Sequence, residues 1–173
     1  MINRVDLAVI MPQAKESNIN RFWQHLNDAM EEFDINSAAR QAAFLAQIGH
    51  ESGQLRYSEE IASGAAYEGR ADLGNTEVGD GKRYKGRGLI QITGRANYKE
   101  CGDALGIDLI GEPDLLQQPD NACRSAAWFW KSHGLNQFAD TGNFERITRK
   151  INGGLNGQAD RLALWERAKD QLT

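Results

Sequence analysis

Residues 41–53 read Gln-Ala-Ala-Phe-Leu-Ala-Gln-Ile-Gly-His-Glu-Ser-Gly. Small and apolar side chains surround this segment almost completely, which is typical of a helix buried in a core. The helix is expected to run to about Gly49 and to bring His50 and Glu51 to a turn that contains Gly53. The rim of an apolar core disfavours a charged carboxyl group, and this suits a general acid. A local cap or salt bridge at Glu51 is an equally good interpretation of this stretch alone.

Helical spacing of apolar residues continues on both sides of this segment. It predicts a helix over residues 17–33, which ends at the polar break of residues 34–37. Further helices are expected over residues 94–105, from Pro119 to a stop at Gly134, over residues 144–151, and from Asn156 or Gln158 onward. The chain is therefore predicted to be mainly helical.

The sequence between residues 53 and 84 has a different character, with six glycines and few large apolar residues. A connection of this length without regular structure is uncommon and often functional. Residues 89–93 are predicted to form a short strand, as half of a small hairpin. We therefore expect an α+β protein with one domain over residues 1–173, without internal repeats or a linker.

The composition excludes several classes of function. The 173 residues include 20 Lys and Arg against 24 Asp and Glu, a net charge of −4, which argues against nucleic-acid binding. No apolar run approaches the roughly 20 residues of a membrane span, and residues 1–12 lack a convincing signal peptide. Cys101 and Cys123 have no CxxC pattern or histidine partners, so we expect no metal site and two reduced thiols in a protein made in the cytosol.

Three common catalytic motifs fail on single positions. Gln54 stands where the helix of a zinc protease would need a second histidine after His50. Gln91 stands where a dinucleotide-binding loop would need its third glycine, and no cofactor is expected. Ser52 lacks the first glycine of a hydrolase nucleophile elbow, because His50 occupies that position.

A group of acidic residues remains as the candidate catalytic site. Glu59 and Glu60 follow Glu51 across a short turn, so acids at the end of a helix and in the next loop could flank a cleft. Glycoside hydrolysis requires such a pair, one protonated and one ionised. Adjacent glutamates are also common on solvated surfaces. The residues by themselves leave both interpretations open.

Residues 81–93 read Gly-Lys-Arg-Tyr-Lys-Gly-Arg-Gly-Leu-Ile-Gln-Ile-Thr and resemble the signature of glycoside hydrolase family 19. This family contains the chitinases of plants and related endolysins of phages and bacteria. Further matches follow its order, at residues 50–52, 97–98, 106–115, 127–130, 151–154 and 160–162, so the resemblance covers about residues 41–168. It implies a lysozyme-like fold with two lobes, a small β-hairpin or sheet, and a substrate cleft between the lobes.

The resemblance also implies catalytic roles. Glu51 takes the position of the general acid, Glu60 that of the general base, and Thr93 that of the hydroxyl residue that helps to hold the attacking water. Only eight residues separate Glu51 from Glu60, fewer than in plant members, so Glu59 or Glu68 could replace Glu60 as the base.

The substrate-binding positions implied by the resemblance are His50, Tyr84, Arg87, Gln91, Asn97, Asn152 and Arg161. For Arg87 and Arg161, a salt bridge that holds the lobes together is an equally good interpretation. Trp128, Phe129 and Trp130 occur in an apolar helical run and are assigned to the core instead of a sugar-binding platform.

The resemblance points to a substrate and a place of action. The family is known for inversion, which requires carboxyl groups about 6.5–9.5 Å apart. Residues 67–75 are similar to bacterial and phage members, which cut peptidoglycan between N-acetylmuramic acid and N-acetylglucosamine. The chain is therefore interpreted as a monomeric phage or prophage endolysin with no separate wall-binding module. It would accumulate in the cytoplasm of a Gram-negative host and reach the periplasmic wall once a holin opens the membrane.

Three alternatives stay open at this stage. The first is a chitinase, because the acids and amides do not distinguish chitin from peptidoglycan. The second is a wall-binding module that has lost turnover, although both acids and Thr93 are present. The third is a lytic transglycosylase with a single acid, for which Glu60 would be dispensable. The basic residues of the segment 82–87 either bind anionic wall polymers or form a solvated rim, and the rim is the default expectation.

Overall fold

The computed structural model describes all 173 residues and contains nine α-helices. In chain order they are α1 (Arg4–Ile10), α2 (Glu16–Glu32), α3 (Ala38–Glu51), α4 (Asp80–Arg83), α5 (Arg95–Leu105), α6 (Pro119–Ser132), α7 (Leu135–Asp140), α8 (Phe144–Asn152) and α9 (Gln158–Leu172). Short 3₁₀ helices lie at Ala65–Tyr67, Ala71–Leu73 and Pro113–Gln117. None of the helices combines the length and the apolar character that crossing a bilayer requires. The mainly helical class predicted from the sequence is confirmed.

Helix α3 is the buried helix expected from its composition. Ser37 caps its first turn by accepting a hydrogen bond from the Arg40 N–H at 3.2 Å. Every residue from Ala42 to Gly49 is buried. Helix α9 packs along α3, and Leu164 of α9 lies beside Gly49. The last helix of the fold therefore lies against the helix that carries Glu51.

Helices α2 and α6 form a second packed pair, which meets α3 through Trp130. Arg124 on α6 makes a bidentate pair with Glu32 at the end of α2, with both N–O distances at 2.9 Å. Trp130 is fully buried and meets the Phe44 ring edge-on, with 5.4 Å between ring centroids. Trp130 thus lies in the core as expected, whereas Trp128 and Phe129 are only half-buried.

The predicted strand over residues 89–93 is wrong, and with it the small β-hairpin or sheet. The structure contains only two isolated β-bridges in this region, Glu59 with Arg87 and Arg87 with Ile92. Gln91 has a φ of 62°, in the left-handed region that a strand does not use. The buried Leu89 that suggested a strand packs on α6 instead, where its N–H donates to the Ala122 carbonyl at 3.3 Å.

The long connection between α3 and α5 is anchored by a buried ion pair. Asp80 is 1% exposed and accepts hydrogen bonds from two guanidinium nitrogens of Arg95, both at 2.8 Å. These bonds lower the pKa of Asp80. Because Asp80 begins α4 and Arg95 begins α5, the pair fixes both ends of the glycine-rich signature segment.

Both cysteines are buried and unpaired with each other. Burial raises the pKa of the Cys101 thiol to about 12 and that of Cys123 well above its ordinary value. Both thiols are therefore protonated at neutral pH and inert towards oxidation.

Candidate active site

Glu51 is the last residue of α3 and is held by a buried arginine from α9. The Arg161 Nη2 lies 2.7 Å from Glu51 Oε1, and Arg161 is 2% exposed. The same guanidinium donates to Gln47 Oε1 at 2.7 Å and to the Asn156 carbonyl at 3.1 Å. Glu51 Oε2 has no hydrogen-bond partner in the protein, so one carboxyl oxygen is fixed and the other is available to a ligand.

The buried position of Arg161 favours one of the two interpretations given by the sequence. Its guanidinium joins α3 to α9 through Glu51, which agrees with the salt-bridge interpretation. A role of Arg161 in substrate binding stays a prediction. Gln47, which the sequence analysis did not single out, supports Arg161 and also donates to Thr148 Oγ1 at 2.9 Å.

His50 makes a second connection between the same helices. Its Nδ1 lies 2.7 Å from Asp160 Oδ2, in the first turn of α9. The imidazole lies directly over Gly157, where any Cβ would collide with the ring. Since about a quarter of the His50 side chain is exposed, it stands at the edge of the site beside Glu51.

Glu60 is held by donors at both of its carboxyl oxygens. Oε1 accepts a hydrogen bond from the Gly86 N–H at 2.7 Å, and Oε2 accepts one from the Tyr67 hydroxyl at 3.0 Å. Burial of this hydroxyl and its bond to Glu60 raise the pKa of Tyr67, so Tyr67 stays a donor at neutral pH. Two donors on two oxygens are what an ionised carboxylate accepts.

The two alternative bases are engaged elsewhere. Glu59 Oε1 lies 2.5 Å from Lys85 Nζ. The carboxylate of Glu68 accepts hydrogen bonds from the backbone N–H groups of Gly79 and Gly81, both at 2.8 Å, and these bonds lower the pKa of Glu68. Glu68 therefore fixes the turn before α4, which leaves Glu60 as the better placed of the three acids.

Thr93, Gln91 and Asn97 line one cavity of about 270 Å³, together with Trp128 and Phe129. Thr93 Oγ1 donates to the Gln91 carbonyl at 3.0 Å, and Asn97 Nδ2 donates to the Thr93 carbonyl at 2.7 Å. The side chains that were assigned to sugar binding thus share a wall with two half-buried aromatic rings. Assigning these two rings wholly to the core underestimated their exposure.

Gly86 connects this cavity to Glu60. A Cβ at Gly86 would lie 2.8 Å from Gln91 Oε1 and 3.2 Å from Thr93 Oγ1. Because the Gly86 N–H holds Glu60, the candidate base and the candidate water-holding hydroxyl lie on either side of one glycine. The importance of Gly86 and Tyr67 was not recognised from the sequence, although Gly86 belongs to the signature and Tyr67 to the segment 67–75.

Tyr84 and Arg87 are both largely buried. Tyr84 is 1% exposed, and its hydroxyl donates to the Ile110 carbonyl at 2.9 Å. Arg87 is 6% exposed and donates to the Tyr98 hydroxyl at 3.0 Å and to Gln117 Oε1 at 3.1 Å. Both side chains hold the signature segment in place through these bonds, and their assignment to substrate binding stays a prediction.

Asn152 ends α8 with an unusual feature. Its side-chain nitrogen is buried and has no hydrogen-bond partner, and the same is true of the side-chain oxygen of Gln158 at the start of α9. A buried amide atom without a protein partner is uncommon in folded proteins. No sequence signal pointed to Gln158.

The sequence profile of glycoside hydrolase family 19, described as chitinase class I, matches residues 30–142. A glycosyl hydrolase family 19 domain-containing protein of Haemophilus influenzae is 33% identical, over 95% of this chain and 94% of its own length. An endochitinase of Arabidopsis thaliana is 44% identical over 65% of this chain. The chain spans only 38% of the length of that plant relative.

Solved structures of chitinases are also similar to this chain. Chitinase C of Streptomyces griseus superimposes with a TM-score of 0.82 and 26% sequence identity, over 99% of this chain and 76% of its own. A bacterial family 19 chitinase superimposes with a TM-score of 0.82 and 28% identity, over 99% of this chain and 94% of its own. The helical arrangement described above is therefore shared with chitinases of this family.

Proposed function

Because the chain belongs to glycoside hydrolase family 19, we propose that it hydrolyses β-1,4 glycosidic bonds with Glu51 as general acid and Glu60 as general base. The observation that carries this assignment is the contrast between the two carboxyl groups. Glu51 keeps one oxygen without a protein partner, whereas both oxygens of Glu60 accept hydrogen bonds. A proton donor needs a free oxygen that reaches the glycosidic oxygen, and a base needs to stay ionised.

The proposed reaction proceeds by inversion. Glu51 gives its proton to the glycosidic oxygen as the bond to the anomeric carbon breaks, and the Arg161 guanidinium stabilises the carboxylate that remains. Glu60 takes a proton from a water molecule that attacks the opposite face of the sugar, and the Thr93 hydroxyl helps to hold that water. The unpaired nitrogen of Asn152 is a donor suited to an acetyl or hydroxyl oxygen of the sugar.

We further propose that the substrate is peptidoglycan, cut between N-acetylmuramic acid and N-acetylglucosamine in a lysozyme-like cleft between two lobes. The similarity of residues 67–75 to bacterial and phage members supports this choice, as does a bacterial relative of matching length. In this proposal the protein is a phage or prophage endolysin. It waits in the host cytoplasm as a monomer and needs a holin to reach the wall.

Chitin is the second candidate substrate. The plant relatives carry the name endochitinase, and the similar solved structures carry the name chitinase. The catalytic pair and the amides described above serve either polymer, because both polymers contain β-1,4-linked N-acetylated sugars.

Digestion of purified Gram-negative peptidoglycan and, separately, of chitin oligosaccharides tests the proposal, with products followed by mass spectrometry. Hydrated muramic-acid ends that disappear in both Glu51→Gln and Glu60→Gln would support the two-acid endolysin. Anhydro ends from an active Glu60→Gln variant would identify a transglycosylase and overturn the inverting mechanism. Cleavage of chitin alone would establish the second candidate, and binding without products would leave a wall-binding module.

A further inference from the structure

A second polar cavity lies beside the turn that follows Glu51. It has a volume of about 240 Å³ and is lined by Gln13, Lys15, Asn18, Gly53, Gln54 and Arg56. Its charged side chains are both cationic, and neither Lys15 nor Arg56 forms an ion pair. Three amide side chains complete the wall. The cavity is therefore electropositive and rich in hydrogen-bond donors.

Gln54 supplies a side-chain donor that has no hydrogen-bond partner in the protein. The residue is 7% exposed, and its Oε1 accepts a hydrogen bond from the Gln13 N–H at 2.8 Å. This bond fixes the orientation of the amide, so the Nε2 group is left as a donor in the cavity wall. The donor is therefore accessible from the cavity and available to a ligand.

The backbone around Gln54 is held in an uncommon conformation. Gly53, Gln54 and Leu55 have φ values of 59°, 57° and 67°, three successive residues in the left-handed region. Residues other than glycine rarely adopt this conformation, and it persists only where the surroundings enforce it. Here the Ser52 hydroxyl accepts the Leu55 N–H at 2.9 Å, which fixes the turn and with it the position of Gln54.

The start of α2 adds to the positive character of the cavity. Lys15 is the N-cap residue of this 17-residue helix, and no side chain caps its first turn. The free N–H groups and the dipole of such a helix end favour a negatively charged ligand. Lys15 and Asn18, from the N-cap and the first turn, both line the cavity.

We propose that this cavity binds a carboxylate of the acidic peptide that muramic acid carries in peptidoglycan. Gly53 is two residues from Glu51, so their Cα atoms lie within about 7.6 Å of each other. A peptide attached to a sugar beside Glu51 can therefore reach the cavity. Chitin has no such carboxylate. The inference rests on the proposed activity towards peptidoglycan and names the part of the substrate that distinguishes the two polymers.

Two variants remove the recognition without touching the proposed catalytic groups. Gln54→Glu keeps an oxygen for the Gln13 N–H but replaces the free donor with a negative charge. The double variant Lys15→Gln, Arg56→Gln removes both cations from exposed positions. Arg21→Gln, Arg146→Gln is the matched control, because it removes two exposed cations without ion pairs elsewhere. Lys15→Arg, Arg56→Lys is the conservative variant that should restore binding.

The readout is KM on peptidoglycan with its peptides and on the same glycan strands after an amidase has removed them. We expect the two cavity variants to raise KM about fivefold or more on the peptide-bearing substrate only, as the loss of two charge interactions implies. The matched control and the conservative variant should behave as the wild type. An equal change in KM on both substrates, or no change on either, would overturn the inference.

A titration with the released acidic peptide, followed through the Gln54 side-chain amide by NMR, tests the cavity independently of turnover. A shift of this signal that the Lys15→Gln, Arg56→Gln variant abolishes and the Arg21→Gln, Arg146→Gln control retains supports the site. The same shift with inorganic phosphate at equal concentration would reduce it to a general anion site and overturn the peptide assignment. If the wild type does not cut peptidoglycan, the proposed function fails. This titration still decides whether the cavity holds a carboxylate.

Discussion

Arg161 reaches Glu51 from the interior of the molecule, and its surroundings make this contact sensitive. The guanidinium is 2% exposed and satisfies Gln47 and the Asn156 carbonyl as well as the carboxyl group. Its removal therefore leaves the buried Gln47 oxygen without its donor and Glu51 without its cation. A buried acceptor without a partner costs stability beyond the loss of the bond itself.

We expect Arg161→Gln to lower the free energy of unfolding by about 2–4 kcal/mol and to abolish activity at the same time. Urea denaturation measures the first effect, and product formation measures the second. Arg161→Lys should be destabilised almost as much as Arg161→Gln, because it loses the hydrogen bonds to Gln47 and Asn156. It should nevertheless keep part of the wild-type activity, because it keeps the charge beside Glu51. A loss of stability below about 1 kcal/mol for Arg161→Gln would contradict this account.

A side chain at Gly86 would meet only the flexible ends of neighbouring side chains. A methyl group there would meet Gln91 Oε1 at 2.8 Å and Thr93 Oγ1 at 3.2 Å, and both side chains can move away. Gly86→Ala should therefore leave the melting temperature nearly unchanged but lower kcat by about tenfold to a hundredfold, since a small misplacement at a reacting centre is costly. A large loss of stability with normal kcat in the folded fraction would disprove this reasoning.

Among the secondary-structure elements, α3 was predicted correctly from the sequence, whereas the segment after Arg87 was wrongly predicted to be a strand. The apolar run before His50 predicts a helix that ends at about Gly49, and α3 was found there but continues through His50 to Glu51. Leu89, Ile90 and Ile92 suggested a strand, but Gln91 adopts a left-handed φ and no partner strand exists. Single residues in unusual conformations are set by tertiary contacts, which periodicity does not report.

The choice among three glutamates likewise depended on the loop that carries them. Glu60 and Glu68 are both acids in a glycine-rich segment, and nothing in their local sequence separates them. The structure separates them by their donors: Gly86 and Tyr67 for Glu60, Gly79 and Gly81 for Glu68. Backbone N–H directions of this kind are fixed only once the loop is folded.

The contact between Glu68 and the turn before α4 predicts a pH dependence. Backbone hydrogen bonds lower the pKa of Glu68 in the folded protein, so the stability they contribute is present above the unfolded value near 4.5 and is lost as the pH falls through the folded value. Wild type should melt at a higher temperature than Glu68→Gln at pH 7, and the difference should close below about pH 4. Melting curves across pH 3–8 measure it, and a constant difference would rule out this origin.

At the scale of the whole molecule, the family membership and the class of enzyme predicted from the sequence are confirmed. The order of several weak motifs made this possible, because each one alone was unspecific. The family resemblance implied that Arg161 lies near the catalytic acids, but the residues alone did not predict its pairing with Glu51, since 110 residues separate them. Contacts over such distances follow from the packing of α9 on α3, which no local pattern encodes.

Inversion is the prediction that involves the whole molecule, because Glu51 and Glu60 come from different elements whose separation the fold sets. If the two carboxyl groups lie about 6.5–9.5 Å apart, a water molecule fits between them and attacks directly. Proton NMR during the first minutes of digestion should then show the α-anomer of the new reducing end. Initial release of the β-anomer would indicate retention and a shorter separation.

The origin of Arg161 and Asp160 in α9 has a consequence for the nascent protein on the ribosome. Glu51 is translated 110 residues before Arg161, an interval of roughly 5–20 s at ordinary rates of synthesis. During that time α3, which carries Glu51, lacks its packing partner α9. Translation that stops before residue 158 therefore yields an inert product, and the moment at which a new molecule becomes competent is set by the emergence of its last helix.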